Sequence, residues 1–69
     1  METFFVWIET PMIETPVRGE NVARIVRVRA ADRAEAQRLA GDTCSGLELV
    51  RGIVLPDPEW FDEEVDEDA

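Results

Sequence analysis

The chain has 69 residues, of which 16 are acidic and seven are basic, with no histidine and one cysteine. A chain of this length forms at most one small domain, which buries about 60% of the surface that the unfolded chain exposes. The 45% of hydrophobic residues suffice for one modest core. We therefore expect no catalytic pocket, and the composition indicates a binding protein or a structural subunit.

The acidic charge is concentrated at the C-terminal end of the chain. Residues 1–56 carry eight acids and all seven arginines, for a net charge of −1, whereas residues 57–69 carry eight acids and no base, for a net charge of −8. We predict one small domain at residues 1–56 and an acidic, partly disordered tail at residues 57–69. Nucleic acids are bound by clustered cations that release counterions, so we expect no direct binding of DNA or RNA.

The N-terminal segment and the single cysteine bear on the location of the protein. The apolar run at residues 1–8 follows no basic stretch and is about half as long as a membrane span requires. Cys44 has no second cysteine with which to form an intramolecular disulfide, a usage typical of reducing compartments. We expect a cytoplasmic protein that does not bind a membrane.

Two strands are predicted in the first half of the chain. The segment from Phe4 to Glu9 is rich in aromatic and β-branched residues and is apolar on both faces, which indicates a central strand. Residues 10–21 contain two prolines and a glycine, so we expect a long hairpin connection with a brief extended segment at residues 12–14. From Val22 to Ala30 the pattern alternates, which predicts a half-buried strand whose arginines largely face solvent or a partner.

A helix is predicted from Arg33 to Ala40. Asp32 followed three residues later by Glu35 has the form of a capping arrangement at a helix start, and Gly41 is a natural stop. Small apolar side chains repeat on one face of this segment, which lets the helix lie close to a sheet: Ala36, Leu39 and Ala40.

A third strand is predicted from Leu47 to Leu55, after a turn and before Pro56. A strand, helix, strand unit brings its second strand back parallel to its first. If the apolar first strand fills the gap between them, the sheet order is 2-1-3 and all neighbours are antiparallel. We therefore predict an α+β fold with β-β-α-β topology: a three-stranded antiparallel sheet, one helix on one face, and the acidic C-terminal tail.

The sequence contains little that supports catalysis or cofactor binding. Cys44 is the only conceivable nucleophile, and a catalytic cysteine needs a base such as histidine, which is missing. We interpret it as a small apolar plug between helix and strand. The tail lacks the pivotal glycine of a calcium loop, and no glycine-rich phosphate loop occurs. We therefore expect no enzyme activity, no metal and no cofactor.

Aromatic residues and arginines are the candidate binding residues of the sheet. Phe5 and Trp7 lie on the parity opposite the helix side, with Arg27 and Arg29 on the neighbouring strand. Aromatic residues with arginine form hot spots at interfaces, so these four residues are candidates for a partner-binding surface. The alternative is that the rings shield the sheet and the arginines stack on them.

The tail contributes the remaining candidates. Trp60 and Phe61 are costly to leave in water, so they either fold back onto the sheet or dock in a partner. The acids after them either solubilise the chain or occupy a basic groove made for phosphates. The complete set of candidate partner-binding residues is Phe5, Trp7, Arg27, Arg29, Trp60, Phe61, Asp62, Glu63, Glu64 and Asp66.

The segment from Arg29 to Ala40, followed by Cys44, Gly46 and the strand from Leu47 to Ile53, resembles the strand, helix, strand layout of small phage-encoded anti-CRISPR proteins. The resemblance implies an inhibitor that binds the RNA-guided surveillance complex of a type I system and blocks target DNA. It implies no catalytic motif, because that family shares none.

These observations predict a non-enzymatic interaction protein. The resemblance implies a phage-derived inhibitor that binds a host complex with a basic nucleic-acid-binding surface and blocks DNA recognition. The alternative is a small structural or accessory subunit that forms homodimers or larger homo-oligomers through its sheet edges. An enzyme would need a cofactor or a second chain to supply the missing base.

Overall fold

A computed structural model describes residues 1–10 and 22–66 of the protein. The predicted hairpin connection, with its extended segment at residues 12–14, lies outside the described residues. The elements are β1 (Glu2–Thr10), β2 (Val22–Ala30), α1 (Arg33–Asp42), β3 (Leu49–Ile53) and β4 (Glu63–Asp66). The predicted α+β class, with one helix and a sheet, is confirmed.

The sheet has four strands in the order β3-β1-β2-β4. β1 is central and antiparallel to both neighbours, and it pairs with β2 from Glu2 opposite Ala30 to Thr10 opposite Val22. The predicted order of the first three strands is therefore present. The prediction of a three-stranded, purely antiparallel sheet is wrong, because β4 adds to the outer edge of β2 in the parallel direction.

The helix begins where the capping signal predicts. The Asp32 carboxylate accepts a hydrogen bond from the backbone N–H of Glu35 at 2.8 Å, which satisfies one of the donors left unpaired in the first helical turn. The helix continues through Gly41 to Asp42, so the prediction that Gly41 stops it is wrong. The stop lies at Thr43, whose backbone N–H and hydroxyl both donate to the carbonyl of Ala40.

The core lies between α1 and one face of the sheet. Its fully buried residues come from β1, β2 and the small-residue face of the helix: Val6, Ile8, Val26, Val28, Ala30, Ala36 and Ala40. The alanines bring the helix backbone close to the sheet, as predicted from the sequence. Leu39 and Cys44 are partly buried against this cluster, and the sulfhydryl of Cys44 lies 3.7 Å from the carbonyl oxygen of Ala40.

β3 is shorter than predicted and irregular. Its register with β1 shifts between Trp7 and Ile8, so that Trp7 lies opposite Gly52 and Ile8 lies opposite Val50. Gly52 has a φ of 150°, a conformation that residues with a Cβ rarely adopt. Because the residue opposite Trp7 is a glycine, no β3 side chain lies directly beside the Trp7 position.

The acidic C-terminal segment contains a strand. The partly disordered tail that we predicted at residues 57–69 was not expected to hold a strand, yet residues 63–66 form β4 beside β2. Asp62 fixes the start of this pairing, since its backbone N–H donates to the Ile25 carbonyl and its carboxylate accepts from the Ile25 N–H, both at 2.8 Å. Val65 then packs against the core. These contacts with β2 supply the order that the segment's own composition does not.

Candidate protein-binding face

The face of the sheet opposite α1, called the open face below, carries most of the aromatic and charged residues singled out in the sequence. Strand alternation places Phe5 and Trp7 of β1 on this face, with Arg27 of β2 directly opposite Phe5. Arg29 stands two residues further along β2 and opposite Thr3. The predicted side-by-side placement of aromatic residues and arginines is therefore present.

Phe61 folds back onto the open face. Its ring centroid lies 6.1 Å from that of Phe5, with the two planes tilted by 54°, a favourable geometry for an aromatic pair. The guanidinium carbon of Arg27 lies 5.5 Å from the Phe61 centroid, within the range of a cation–π contact. Phe61 covers Phe5, which is only 8% exposed. Of the alternatives stated for these residues, the shielded sheet with stacked arginine is therefore the observed arrangement at Phe5 and Arg27.

The arginines of β2 pair with the acids of β4. Arg27 lies 3.2 Å from a carboxylate oxygen of Glu64, and Arg29 lies 3.8 Å from one of Asp66. Parallel pairing makes this possible, because Arg27 is in register with Glu64 and Arg29 with Asp66. The side chains of Arg27 and Arg29 are 38% and 51% exposed, so they face solvent as predicted, and each forms an ion pair with an acid of β4 that the sequence did not indicate.

Arg24 forms a second ion-pair group on the helix side of the sheet. Its guanidinium donates to both carboxylate oxygens of Glu48, at 2.8 and 3.1 Å, and to the carboxylate of Glu63 at 3.1 Å. The hydrogen bond from Arg24 lowers the pKa of Glu48, and the backbone N–H of Ser45 lowers it further. The hydrogen bond with Glu48 in turn raises the pKa of Arg24. This group ties the turn before β3 to β2 and to β4.

Positive charge is largely compensated on the surface of the described residues. Five of the six arginines in residues 22–66 form ion pairs with carboxylates, namely Arg24, Arg27, Arg29, Arg38 and Arg51. The described surface therefore carries few arginines without a carboxylate partner, and the net charge of the chain is −9.

A small apolar groove lies on the open face beside the Phe5 and Phe61 pair. It has a volume of about 240 Å³, and it is called the tryptophan groove below. Its lining residues are Trp7, Ala23, Ile25, Val54 and Trp60. The two indoles remain 43% and 58% exposed, respectively. Trp60 therefore folds back only as far as this groove, and one of its faces stays available to another molecule.

Carboxylates border the tryptophan groove. Asp62 bonds to the backbone of Ile25, a lining residue, and Glu59 adjoins Trp60 in the chain. Neither of these two acids forms an ion pair within residues 1–10 and 22–66. Glu9 lies opposite Ala23 on the other flank, where Arg51 compensates it at 3.2 Å. The groove is thus apolar inside and acidic on the side of Trp60.

Cys44 lacks the features of a reactive thiol. Burial raises the pKa of its thiol, and the nearby Glu48 carboxylate raises it further. A raised pKa leaves little thiolate near neutral pH, and the thiolate is the nucleophilic form.

The residues predicted to bind a partner divide into two groups. Phe5, Arg27, Phe61 and Glu64 contact one another within the fold, whereas Trp7 and Trp60 line the exposed groove. Sequence reasoning missed three residues of the groove: Ala23, Ile25 and Val54. The strand register could have indicated Ile25, which lies opposite Trp7. No local signal marked Val54, whose position depends on the bulge at Gly52.

Comparison with protein-family models, with curated proteins and with solved structures gives no match to this chain. Within the described ranges, no helix is both long and apolar enough to cross a membrane. In the same ranges, no three or more histidine, cysteine, aspartate or glutamate residues are grouped so that they could hold a metal ion.

Proposed function

We propose that this protein is a non-enzymatic interaction protein that docks on a basic partner protein through the tryptophan groove of its open face. The observation that carries the proposal is the pair of exposed indoles, Trp7 and Trp60, which line one apolar groove. The carboxylates of Glu59 and Asp62 nearby in the chain form no ion pair within residues 1–10 and 22–66. Tryptophan is enriched among the residues that dominate binding energy at protein interfaces. The other aromatic residues of this face are already occupied by one another.

The proposed partner is a complex with a basic, nucleic-acid-binding surface. Charge supports this choice, since complementary potentials accelerate association and suppress wrong partners. The resemblance of residues 29–53 to anti-CRISPR proteins supports a more specific target, the RNA-guided surveillance complex of a type I system. The proposed action is to block target DNA by occupying the surface on which DNA is recognised. On this proposal the protein works in the cytoplasm of a phage-infected cell.

The role proposed for the acids changes in one respect. Glu63, Glu64 and Asp66 are paired with arginines of β2, so they are poor imitations of bare phosphates. We assign them to holding the C-terminal segment, and we assign steering of the encounter to the net negative charge of the whole chain.

Inhibition of DNA binding by a purified type I surveillance complex tests this proposal. Increasing amounts of the protein should displace the complex from a labelled target duplex in a gel-shift assay. Trp60→Ala should weaken inhibition about 30-fold, because loss of an interface hot spot costs about 2 kcal/mol or more. Trp60 lies outside the strands and is 58% exposed, so this variant should stay folded.

Leu47→Ala is the matched control. Leu47 is 62% exposed but lies in the turn before β3 and away from the tryptophan groove. Its replacement should leave inhibition unchanged. If the native protein does not inhibit DNA binding, the proposed target is wrong. If Trp60→Ala and Leu47→Ala lose inhibition equally, the proposed binding face is wrong.

A second candidate function is that of a subunit that self-associates through a sheet edge. The specific observation is that β3 is an edge strand that begins with an exposed leucine and lies between two others: Leu49 in the strand, with Leu47 before it and Leu55 after it. The other edge, β4, is acidic, and two copies would repel each other there. A dimer detected by light scattering that dissociates in Leu49→Lys would support this function, because a charged residue on an edge strand disfavours pairing.

A further inference from the structure

We propose that the tryptophan groove accepts one large apolar side chain from an extended segment that is flanked by lysine or arginine. This inference rests on the proposed function and specifies the chemistry of the segment that is bound. It follows from the size of the groove, its lining and its charged border, each of which excludes other kinds of ligand.

The size of the groove fits a single side chain better than a larger ligand. Its volume of about 240 Å³ is below the range of about 300–1,000 Å³ that is typical of sites for drug-sized ligands. It is large enough for a leucine, methionine or phenylalanine side chain. The groove lies on the open face of a sheet, so the backbone of an extended segment can run across it while one side chain points inward.

The lining selects an apolar anchor. Indole rings, Ile25, Val54 and Ala23 form the walls, and a polar group placed among them would lose its hydrogen bonds to water without replacement. Contact with the two indoles provides a large apolar area at low entropic cost, because each indole has only two rotatable side-chain bonds.

The acidic residues near the groove indicate which residues should stand next to the apolar anchor in the bound segment. Glu59 precedes Trp60 in the chain and Asp62 follows it by two residues, and neither forms an ion pair within the described residues. The Asp62 carboxylate accepts a hydrogen bond from the backbone N–H of Ile25, a lining residue, at 2.8 Å. A lysine or arginine one or two positions from the anchor would reach these carboxylates. An acidic neighbour would instead be repelled by them and by the net charge of −9.

Intrinsic fluorescence of the full chain tests the inference directly. The chain contains two tryptophans and no tyrosine, and both tryptophans line the groove, so emission reports on this site. The probe is a capped hexapeptide with two central leucines flanked on each side by a lysine and an arginine. One matched control replaces the basic residues with acids, and a second replaces the leucines with serines.

We expect the basic leucine peptide to shift the emission to shorter wavelength in a saturable manner. Each control peptide should bind at least tenfold more weakly. Raising NaCl from about 50 to about 500 mM should weaken the basic peptide severalfold but not abolish binding, since screening acts on exposed charges and not on apolar contact. Trp60→Ala, read through Trp7, should lose at least tenfold in affinity, whereas Leu47→Ala should bind like the native chain.

Three results would overturn the inference. If the emission shows no saturable shift up to about 1 mM peptide, the groove binds no such anchor. A dissociation constant of about 1 mM corresponds to a free energy of binding of about −4 kcal/mol. If the acidic peptide binds as tightly as the basic leucine peptide, the charge argument is wrong. If the serine peptide binds as tightly, an apolar anchor is not required. Peptide binding without inhibition of a surveillance complex would instead refute only the proposed target, so the two failures are distinguishable.

Discussion

Phe61→Ala is expected to detach the C-terminal segment from the sheet, and this change tests how β4 is held. Phe61 is 41% exposed, so somewhat more than half of its side chain is buried. Full burial of a phenylalanine stabilises by about 1.5–3 kcal/mol, which leaves about 1–2 kcal/mol here. The ring contact with Phe5 and the guanidinium contact with Arg27 add about 0.5–1 kcal/mol each. These terms sum to about 2–4 kcal/mol, and we expect a loss near the low end, about 2 kcal/mol, because the Phe61 ring stays partly exposed to solvent.

The ion pairs should matter less than this ring. Glu64 and its partner Arg27 are 50% and 38% exposed, and exposed pairs contribute about 0–1 kcal/mol because water and salt screen them. Glu64→Gln is therefore the matched control, with an expected loss below about 1 kcal/mol that shrinks further at high salt. The comparison separates aromatic packing from charge as the cause of β4 formation.

Thermal unfolding followed by circular dichroism, combined with hydrogen exchange of the β2 amides, measures both effects. In Phe61→Ala the melting temperature should fall by roughly 8–16 °C, because 1 kcal/mol corresponds to about 4–8 °C in a domain of this size. The Ile25 amide, which donates to Asp62 in the native protein, should exchange faster. Unchanged stability together with unchanged protection of Ile25 would refute the packing argument. A larger loss in Glu64→Gln than in Phe61→Ala would show that charge dominates.

Three further predictions concern the helix, the ion-pair group and nucleic acid. Asp32→Ala should cost about 0.5–2 kcal/mol, because the Glu35 N–H loses its cap; an unchanged melting temperature would contradict this cap. The pKa of Glu48 is lowered in the folded state by Arg24, so its contribution to stability is fully present above the ordinary value of 4.5 and is lost as pH falls through the lowered pKa. Acid unfolding curves of Glu48→Gln should therefore depend less on pH in this range, and curves of equal steepness would exclude the linkage. The full chain should not bind duplex DNA in fluorescence anisotropy at low or high salt, and tight, salt-sensitive binding would overturn the charge argument.

Local patterns in the sequence predicted the elements that are stabilised by local physics. The bounds of β2 match the alternating run from Val22 to Ala30, and the helix begins after Asp32 as its capping side chain requires. The central position of β1 followed from its two apolar faces. The same alternation placed Phe5 and Trp7 beside Arg27 on one face. Of the five residues that line the groove, two were marked from the sequence alone, Trp7 and Trp60.

Only the tertiary structure decided where the acidic segment goes. Residues 63–66 hold three acids and one valine, a composition with no strand signal of its own, and they form a strand because β2 offers an open edge and arginines in matching register. Those partners lie more than 35 positions away in the chain, beyond the reach of any window of local periodicity. The choice between folding back and docking for Trp60 and Phe61 was likewise open, and it was decided by contact with Phe5 and the groove.

The tryptophan groove depends on the fold for the same reason. Its walls come from β1, β2 and the segments after β3, and the bulge at Gly52 sets the position of Val54 relative to Trp7. A bulge changes register by one residue, which reverses the side to which following side chains point. Periodicity thus determined which residues are apolar and which strand face they occupy. The joining of distant residues into a site required the packing of the whole sheet.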